Sequence, residues 1–263
     1  MRKLAFLSAA MMIKAFLFAA PVGNPASPQF LQEGYFFGCN NWFDVRLGYE
    51  GDFVGDARMN QYAQGNGRVD NFSQSTNSGT VTLSVLDRLD MYAVFGSSRV
   101  CTDWRFTAAE LVKRIQLETS YHYLWAIGAR GILFEWGNTI LGLGGRYHAS
   151  DLKPIWTTIN GAPISTKGTQ LKTQSWQIDL DLAYKIDLFI PYLGLKYSKS
   201  CTKIGTFSEA ISSSGFGKMH MKNRNPVGIL VGCSLTTGKY FFLNIEGRLI
   251  DEEAATIAGD FRF

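Results

Sequence analysis

The chain has 263 residues, of which 18% are charged, 14% are aromatic and 27 are glycine. The charged share falls below the roughly one quarter usual in soluble domains. The formal net charge of +4 drops to about +1 when Arg2, Lys3 and Lys14 are set aside with an amino-terminal leader, which removes any electrostatic case for nucleic-acid binding.

Arg2 and Lys3 precede an almost wholly apolar run from Leu4 to Ala20, interrupted by Ser8 and Lys14 and closed by Ala19 and Ala20 before Pro21. This pattern predicts a cleaved secretory signal over residues 1–20 and a mature domain over residues 21–263. No later segment approaches the ~18 consecutive apolar residues of a membrane helix, so a helical membrane protein is excluded and a β-barrel is not. About 243 residues remain, enough for one large all-β domain.

From Phe43 the period is two. Phe43, Val45, Leu47, Tyr49, Gly51 and Phe53 share one face; Asp44, Arg46, Gly48, Glu50 and Asp52 share the other. A short strand is expected near Asp56–Gln64, then strands over Gly79–Leu86, Asp90–Ser97, Thr102–Val112, Tyr121–Leu133 and Thr139–Tyr147. Ala108, Ala109, Glu110 and Leu111 also favour a helix, so Thr102–Val112 carries a helical alternative. Trp176, Ile178, Leu180, Leu182, Tyr184 and Ile186 then alternate with Gln177, Asp179, Asp181 and Lys185. Strands follow over Leu188–Lys199, Pro226–Leu235 and Phe241–Leu249, the last with Asn244, Glu246 and Arg248 on its polar face. The final strand sets Ala255, Ile257, Gly259, Phe261 and Phe263 against Thr256, Ala258, Asp260 and Arg262, with Phe261 and Phe263 suited to a barrel-closing strand at the membrane interface.

These segments predict an all-β fold, a transmembrane antiparallel barrel of about 12 strands (roughly 10–16) with long extracellular loops. Lys185–Asp187 and Thr237–Lys239 are expected as tight turns, and residues 55–78, 148–171 and 200–225 as long loops. If the carboxyl terminus lies in the periplasm, the last two long loops face outward. The polar faces nominate pore-lining residues of both signs: Asp44, Arg46, Glu50, Asp52, Arg130, Arg146, Asp179, Asp181, Lys185, Lys196, Glu246, Arg248, Asp260 and Arg262. Mixed charge around water favours small hydrophilic solutes with mild ion selectivity. The competing expectation is that these charges pair with one another and plug a narrow barrel, since lumen width grows with strand number.

Several blocks match a known family. Pro21-Val-Gly-Asn-Pro-Ala-Ser-Pro28, Arg46-Leu-Gly-Tyr-Glu-Gly-Asp-Phe-Val54, Leu86-Asp-Arg-Leu-Asp-Met-Tyr92, Glu118-Thr-Ser-Tyr121 with Ile127-Gly-Ala-Arg130, Leu182-Ala-Tyr-Lys185, Phe189-Ile-Pro-Tyr-Leu-Gly-Leu-Lys196 and Ala254-Ala-Thr-Ile-Ala-Gly-Asp-Phe-Arg-Phe263 run in order along the mature chain. Together they resemble the chlamydial major outer membrane protein family, as a shortened or divergent member. The resemblance implies an outer-membrane porin for small hydrophilic solutes and ions, set in outer-membrane lipid, a homo-oligomer such as a trimer, and disulfide cross-links to other envelope proteins. Members are longer and richer in cysteine; here Cys39, Cys101, Cys201 and Cys233 are the disulfide candidates. Intramolecular bridges and buried thiols are the alternatives for them. A non-conducting structural or adhesive barrel is the alternative function.

Other chemistry finds no support. The cysteines show no C-x-x-C pair for zinc or thioredoxin-like exchange, and His122, His148 and His220 are dispersed. Gly142-Leu-Gly-Gly-Arg146 lacks the lysine and following helix of a phosphate loop. No cofactor, metal or catalytic residue is expected. Lys218–Arg224 is a basic stretch read as a solvated loop tip, with binding of anionic glycans as the minority reading.

Overall fold

The structure is a computed structural model that describes residues 21–31, 42–61, 67–108, 111–205 and 219–262. The predicted leader, Cys39 and Phe263 therefore lie outside the described residues. The strands are β1 (Phe43–Ala57), β2 (Met59–Gln61), β3 (Gly67–Val85), β4 (Leu89–Ala108), β5 (Leu111–Thr119), β6 (His122–Trp136), β7 (Thr139–Leu152), β8 (Pro154–Ile159), β9 (Ala162–Pro163), β10 (Leu171–Tyr184), β11 (Phe189–Ile204), β12 (Met219–Asn223), β13 (Val227–Thr236), β14 (Phe241–Leu249) and β15 (Glu252–Arg262).

Ten of the described strands close a ring in which every pair is antiparallel: β1, β15, β14, β13, β11, β10, β7, β6, β4, β3 and back to β1. The last strand makes the seam, with Phe261 opposite Leu47 on β1 and opposite Phe241 on β14. The ring is thus smaller than the expected twelve strands, because five short strands stand outside it. β5 leaves β4 and continues to β8 and β9, while β12 joins β11 to β2. All five prolong the wall at the end away from the carboxyl terminus, here called the loop end. The opposite, turn end carries tight connections such as Lys185–Leu188 and Thr237–Tyr240.

Three further expectations are corrected. The helical alternative at Thr102–Val112 fails over the described residues: β4 runs unbroken through Ala108, held in extended form by partners on β3 and β5, and β5 starts at Leu111, while Ala109 and Glu110 lie outside the described residues. The expected loop over residues 55–78 is mostly strand, since β3 begins at Gly67. Its Asn-, Ser- and Gln-rich residues pair with β1 and β4, so their backbone groups are satisfied in the ladder whatever their intrinsic turn preference. Likewise β7 extends to Leu152, and β8 and β9 occupy part of residues 148–171.

The outer surface carries an apolar belt. On β10, Ile178, Leu180 and Leu182 point outward between Trp176 and Tyr184 and are 43–48% exposed. Trp176 to Tyr184 is about 26 Å of extended chain, or about 20 Å of height once tilted, close to the ~25 Å band of an outer-membrane barrel. Aromatic pairs mark both margins. Trp125–Tyr147 and Trp176–Tyr197 lie on the loop side, with centroids 5.5 and 5.8 Å apart, and Phe134–Trp136 and Phe241–Phe261 on the turn side, at 5.6 and 4.7 Å. Amphipathic rings suit the headgroup level, where one edge is wet and the other greasy.

Candidate functional site

The strand period that turns Leu and Ile outward turns charge inward. Among the described residues, Asp44, Arg46, Glu50, Asp52, Arg146, Asp179, Asp181, Lys196, Glu246, Arg248, Asp260 and Arg262 are all buried inside the ring, and Arg130 joins them with a side chain only 14% exposed. Lys185 differs: it sits at the turn-end rim, bonded to Gln29 and 3.7 Å from Glu135.

Burying so many charges is costly unless each finds partners. Three tiers supply them. Nearest the loop end, Arg248 lies 2.6 Å from Asp52, 2.6 Å from Glu252 and 3.4 Å from Glu246, and donates to Thr256. Lys196 adjoins it, bonded to Glu252 and 3.0 Å from Asp251. At mid-height Arg146 makes a two-pronged contact with Glu50 at 2.7 and 2.8 Å, the planar fork matching the carboxylate. Toward the turn end Arg46 pairs with Asp90, Arg262 lies 3.3 Å from Asp44, and Arg130 lies 3.7 Å from Asp90 with its guanidinium 5.0 Å over the Tyr92 ring. Asp179 and Asp181 follow each other on the inner face of β10, fitted against Gly144 and Gly194, where any β-carbon would collide with the carboxylates.

Three acids of this network, Asp90, Asp251 and Glu252, were not apparent from sequence. Asp90 shares its face with Tyr92 and Val94, so no polar alternation announces it. Asp251 and Glu252 stand at the tight turn into β15, ahead of the clear alternation.

The largest addition is the segment 21–31, which pairs with no strand and threads the interior from the turn end. Glu246 accepts from the Val22 and Gly23 N–H groups at 3.2 and 2.8 Å. The Pro21 carbonyl accepts from Arg146 and Gln177, both at 3.4 Å. Asn24 donates to the Ile190 carbonyl at 3.0 Å, Arg46 donates to the Ser27 carbonyl at 3.0 Å, Thr236 to that of Phe30 at 3.2 Å, and Arg262 to that of Leu31. Val22, Ala26, Phe30 and Leu31 pack with Ile132, Ile140, Ala183, Ile190, Tyr192, Leu230 and Phe242 as an apolar layer at that end. At the loop end a second layer of Met59, Phe72, Val100, Trp104, Ile115, Leu117, Leu152, Leu171, Ile204, Met219 and Met221 fills the interior. Between the layers, the cavity bordered by Pro21, Glu50, Arg146 and Asp260 measures about 30 Å³, room for a water or two.

Of the cysteines, Cys101, Cys201 and Cys233 carry free thiols on β4, β11 and β13.

The Chlamydia major outer membrane protein family model matches residues 156–215 and 202–263. Full-length relatives agree. The major outer membrane porin of Chlamydia trachomatis serovar E is 25% identical, with 97% of each chain covered, and that of Chlamydia psittaci is 24% identical, with 99% of each covered. The chain is similar to the chlamydial major outer membrane porins over nearly its whole length, and its carboxyl-terminal part matches their family model. It is a multi-pass protein of the bacterial outer membrane, and its apolar belt faces outer-membrane lipid. The serovar E alignment extends over 382 positions against 263 residues here, so this chain is shorter than that porin. Among solved structures, the outer membrane protein OprG from Pseudomonas aeruginosa is similar at TM-score 0.40 and 11% identity, covering 89% of this chain and 98% of that one. The COG4313 outer membrane channel from Pseudomonas putida F1 is similar at TM-score 0.42 and 12% identity, covering 93% and 97%.

Proposed function

We propose that this chain is a porin for the passive diffusion of small hydrophilic solutes and ions, described here in its closed form. The observation that carries this reading is the charged column inside the ring: ten buried carboxylates and six cationic side chains among the described residues, stacked from the turn end to the loop end behind an apolar belt. A column of fixed charge of both signs is a surface made to face water and hydrated solutes. Its excess of carboxylates favours cations. Relatives across nearly the whole length carry the name porin, which supports the same reading.

The test is selectivity. In planar bilayers under a salt gradient, Asp179→Asn with Asp181→Asn shifts the reversal potential toward anions, since lumen carboxylate is removed. An unchanged reversal potential overturns the assignment of these residues to the conducting path.

A second reading, a closed barrel with a structural role in the envelope, is favoured by the mutual pairing of the interior charges and by the apolar layers at both ends. Under that reading the exposed connections and the cysteines matter more than the lumen. Cys39→Ser and Cys201→Ser then abolish the higher-mass species on non-reducing gels, and persistence of the ladder removes these two as linkers. The porin reading also carries a homo-oligomer, read out by chemical cross-linking in native membranes.

A further inference from the structure

Residues 21–31 contain no charged side chain, yet they lie among the most highly charged walls of the molecule. They are held by apolar packing of Val22, Ala26, Phe30 and Leu31 and by contacts to their backbone. Glu246 takes two successive N–H groups, while Arg146, Gln177, Arg46, Thr236 and Arg262 give to the carbonyls of Pro21, Ser27, Phe30 and Leu31. The wall is also shaped for this chain: Pro25 rests directly on Gly142, whose missing β-carbon leaves room for the proline ring. The segment bends through a short 3-10 helix at Ser27–Gln29, and donors and acceptors aimed at its main-chain groups, with a hollow for the Pro25 ring, are how proteins bind a peptide.

The segment adds nothing to the barrel ladder. The ten-strand ring closes without it, so its departure breaks no strand pairing. Its direction is fixed as well: Phe30 and Leu31 bond to Thr236 and Arg262 at the turn end, and Pro21 reaches Arg146 at mid-height. A chain inserted from one mouth, tip inward, is placed to be withdrawn through the same mouth.

We propose that the barrel interior is a binding socket for a peptide with uncharged side chains, that residues 21–31 are its resident ligand, and that conduction requires them to withdraw. Both parts take the leader over residues 1–20 as removed, which makes Pro21 the inner tip; the gating part also rests on the porin reading above, and the socket part does not.

The experiment compares the refolded chain from Pro21 to Phe263 with a variant lacking residues 21–31, both checked for folding by gel mobility. The probe is a synthetic peptide of the sequence PVGNPASPQFL. The expected result has three components. The shortened variant binds the peptide saturably, one per barrel, and the intact chain does not. The shortened variant opens at least about tenfold more often in planar bilayers. Peptide added from the turn-end side blocks it again. Absence of peptide binding to the folded variant overturns the socket, and open channels of equal frequency in the two forms overturn the gate. Peptide binding with silence from both forms leaves the socket standing and rejects the porin reading instead. A second variant keeps the whole chain: Pro25→Cys with Gly142→Cys, in a background where the four native cysteines are serine. Oxidation is expected to lock the channel shut and reduction to release it; conduction by the oxidised protein as free as by the reduced protein contradicts the gate.

Discussion

One strand, β4, belongs to two different molecules. In its first half Leu89, Met91, Ala93 and Phe95 point outward while Asp90, Tyr92 and Val94 point in; in its second half Arg99, Cys101, Asp103 and Arg105 point outward while Ser98, Val100, Thr102 and Trp104 point in. Even-numbered residues of β4 face inward from Asp90 to Trp104, and the one irregularity in its pairings is a bulge on β3 between Val69 and Asn71. The change of polarity therefore lies in the side chains, chiefly those of the outer face. Below the upper aromatic margin the outside is lipid and the inside holds ion pairs. Above it, the outside is water, with exposed pairs such as Arg105–Asp70 at 2.5 Å and Lys172–Asp151 at 3.6 Å, and the inside is an ordinary hydrophobic core around Trp104. The two halves teach that the sheet itself is indifferent to polarity. The surrounding solvent decides which face is greasy, and the level at which the pattern inverts marks the edge of the membrane.

Substitutions can break this comparison at each of its four surfaces. The largest effect is expected inside the belt. Arg248→Met strands Asp52, Glu246 and Glu252 without their shared cation, and should cost about 3–5 kcal/mol in urea unfolding from vesicles. Inside the loop-end extension Trp104→Ala empties the centre of an apolar layer and should cost about 3–5 kcal/mol by the same measurement. On the outside, two positions of one face of β10 sharpen the contrast. Ile178→Lys puts a charge into the lipid belt and should destabilise by about 2–4 kcal/mol. Lys172→Ile, on the same face above the belt, should change stability by no more than about 0.5 kcal/mol. Equal costs at residues 172 and 178 would mean that the inversion does not mark a membrane boundary.

The lower half was the legible one. Alternation of period two placed Asp44 to Asp52, Asp179, Asp181, Glu246 and Arg248 on interior faces because charge against Leu or Ile is a strong contrast. The upper half was obscured by the inversion itself. Around Ser73–Asn77 of β3 both faces are polar or small, so a central strand carries the composition of a loop. Around Thr102–Ala108 of β4 the greasy face has changed sides, and a helix competes on propensity. Pro21–Pro28 was conspicuous as a family block but silent about position. Most contacts of residues 21–31 reach walls far along the chain, at Arg146, Thr236, Glu246 and Arg262, and no local periodicity encodes those.

The measurement that tests the account most directly is single-channel recording under a salt gradient, on the refolded chain from Pro21 and on the variant lacking residues 21–31. The account predicts discrete cation-selective openings, rare in the first protein and frequent in the second. Silence from both, with folding and insertion demonstrated, would contradict it and assign the charged interior to holding the barrel together.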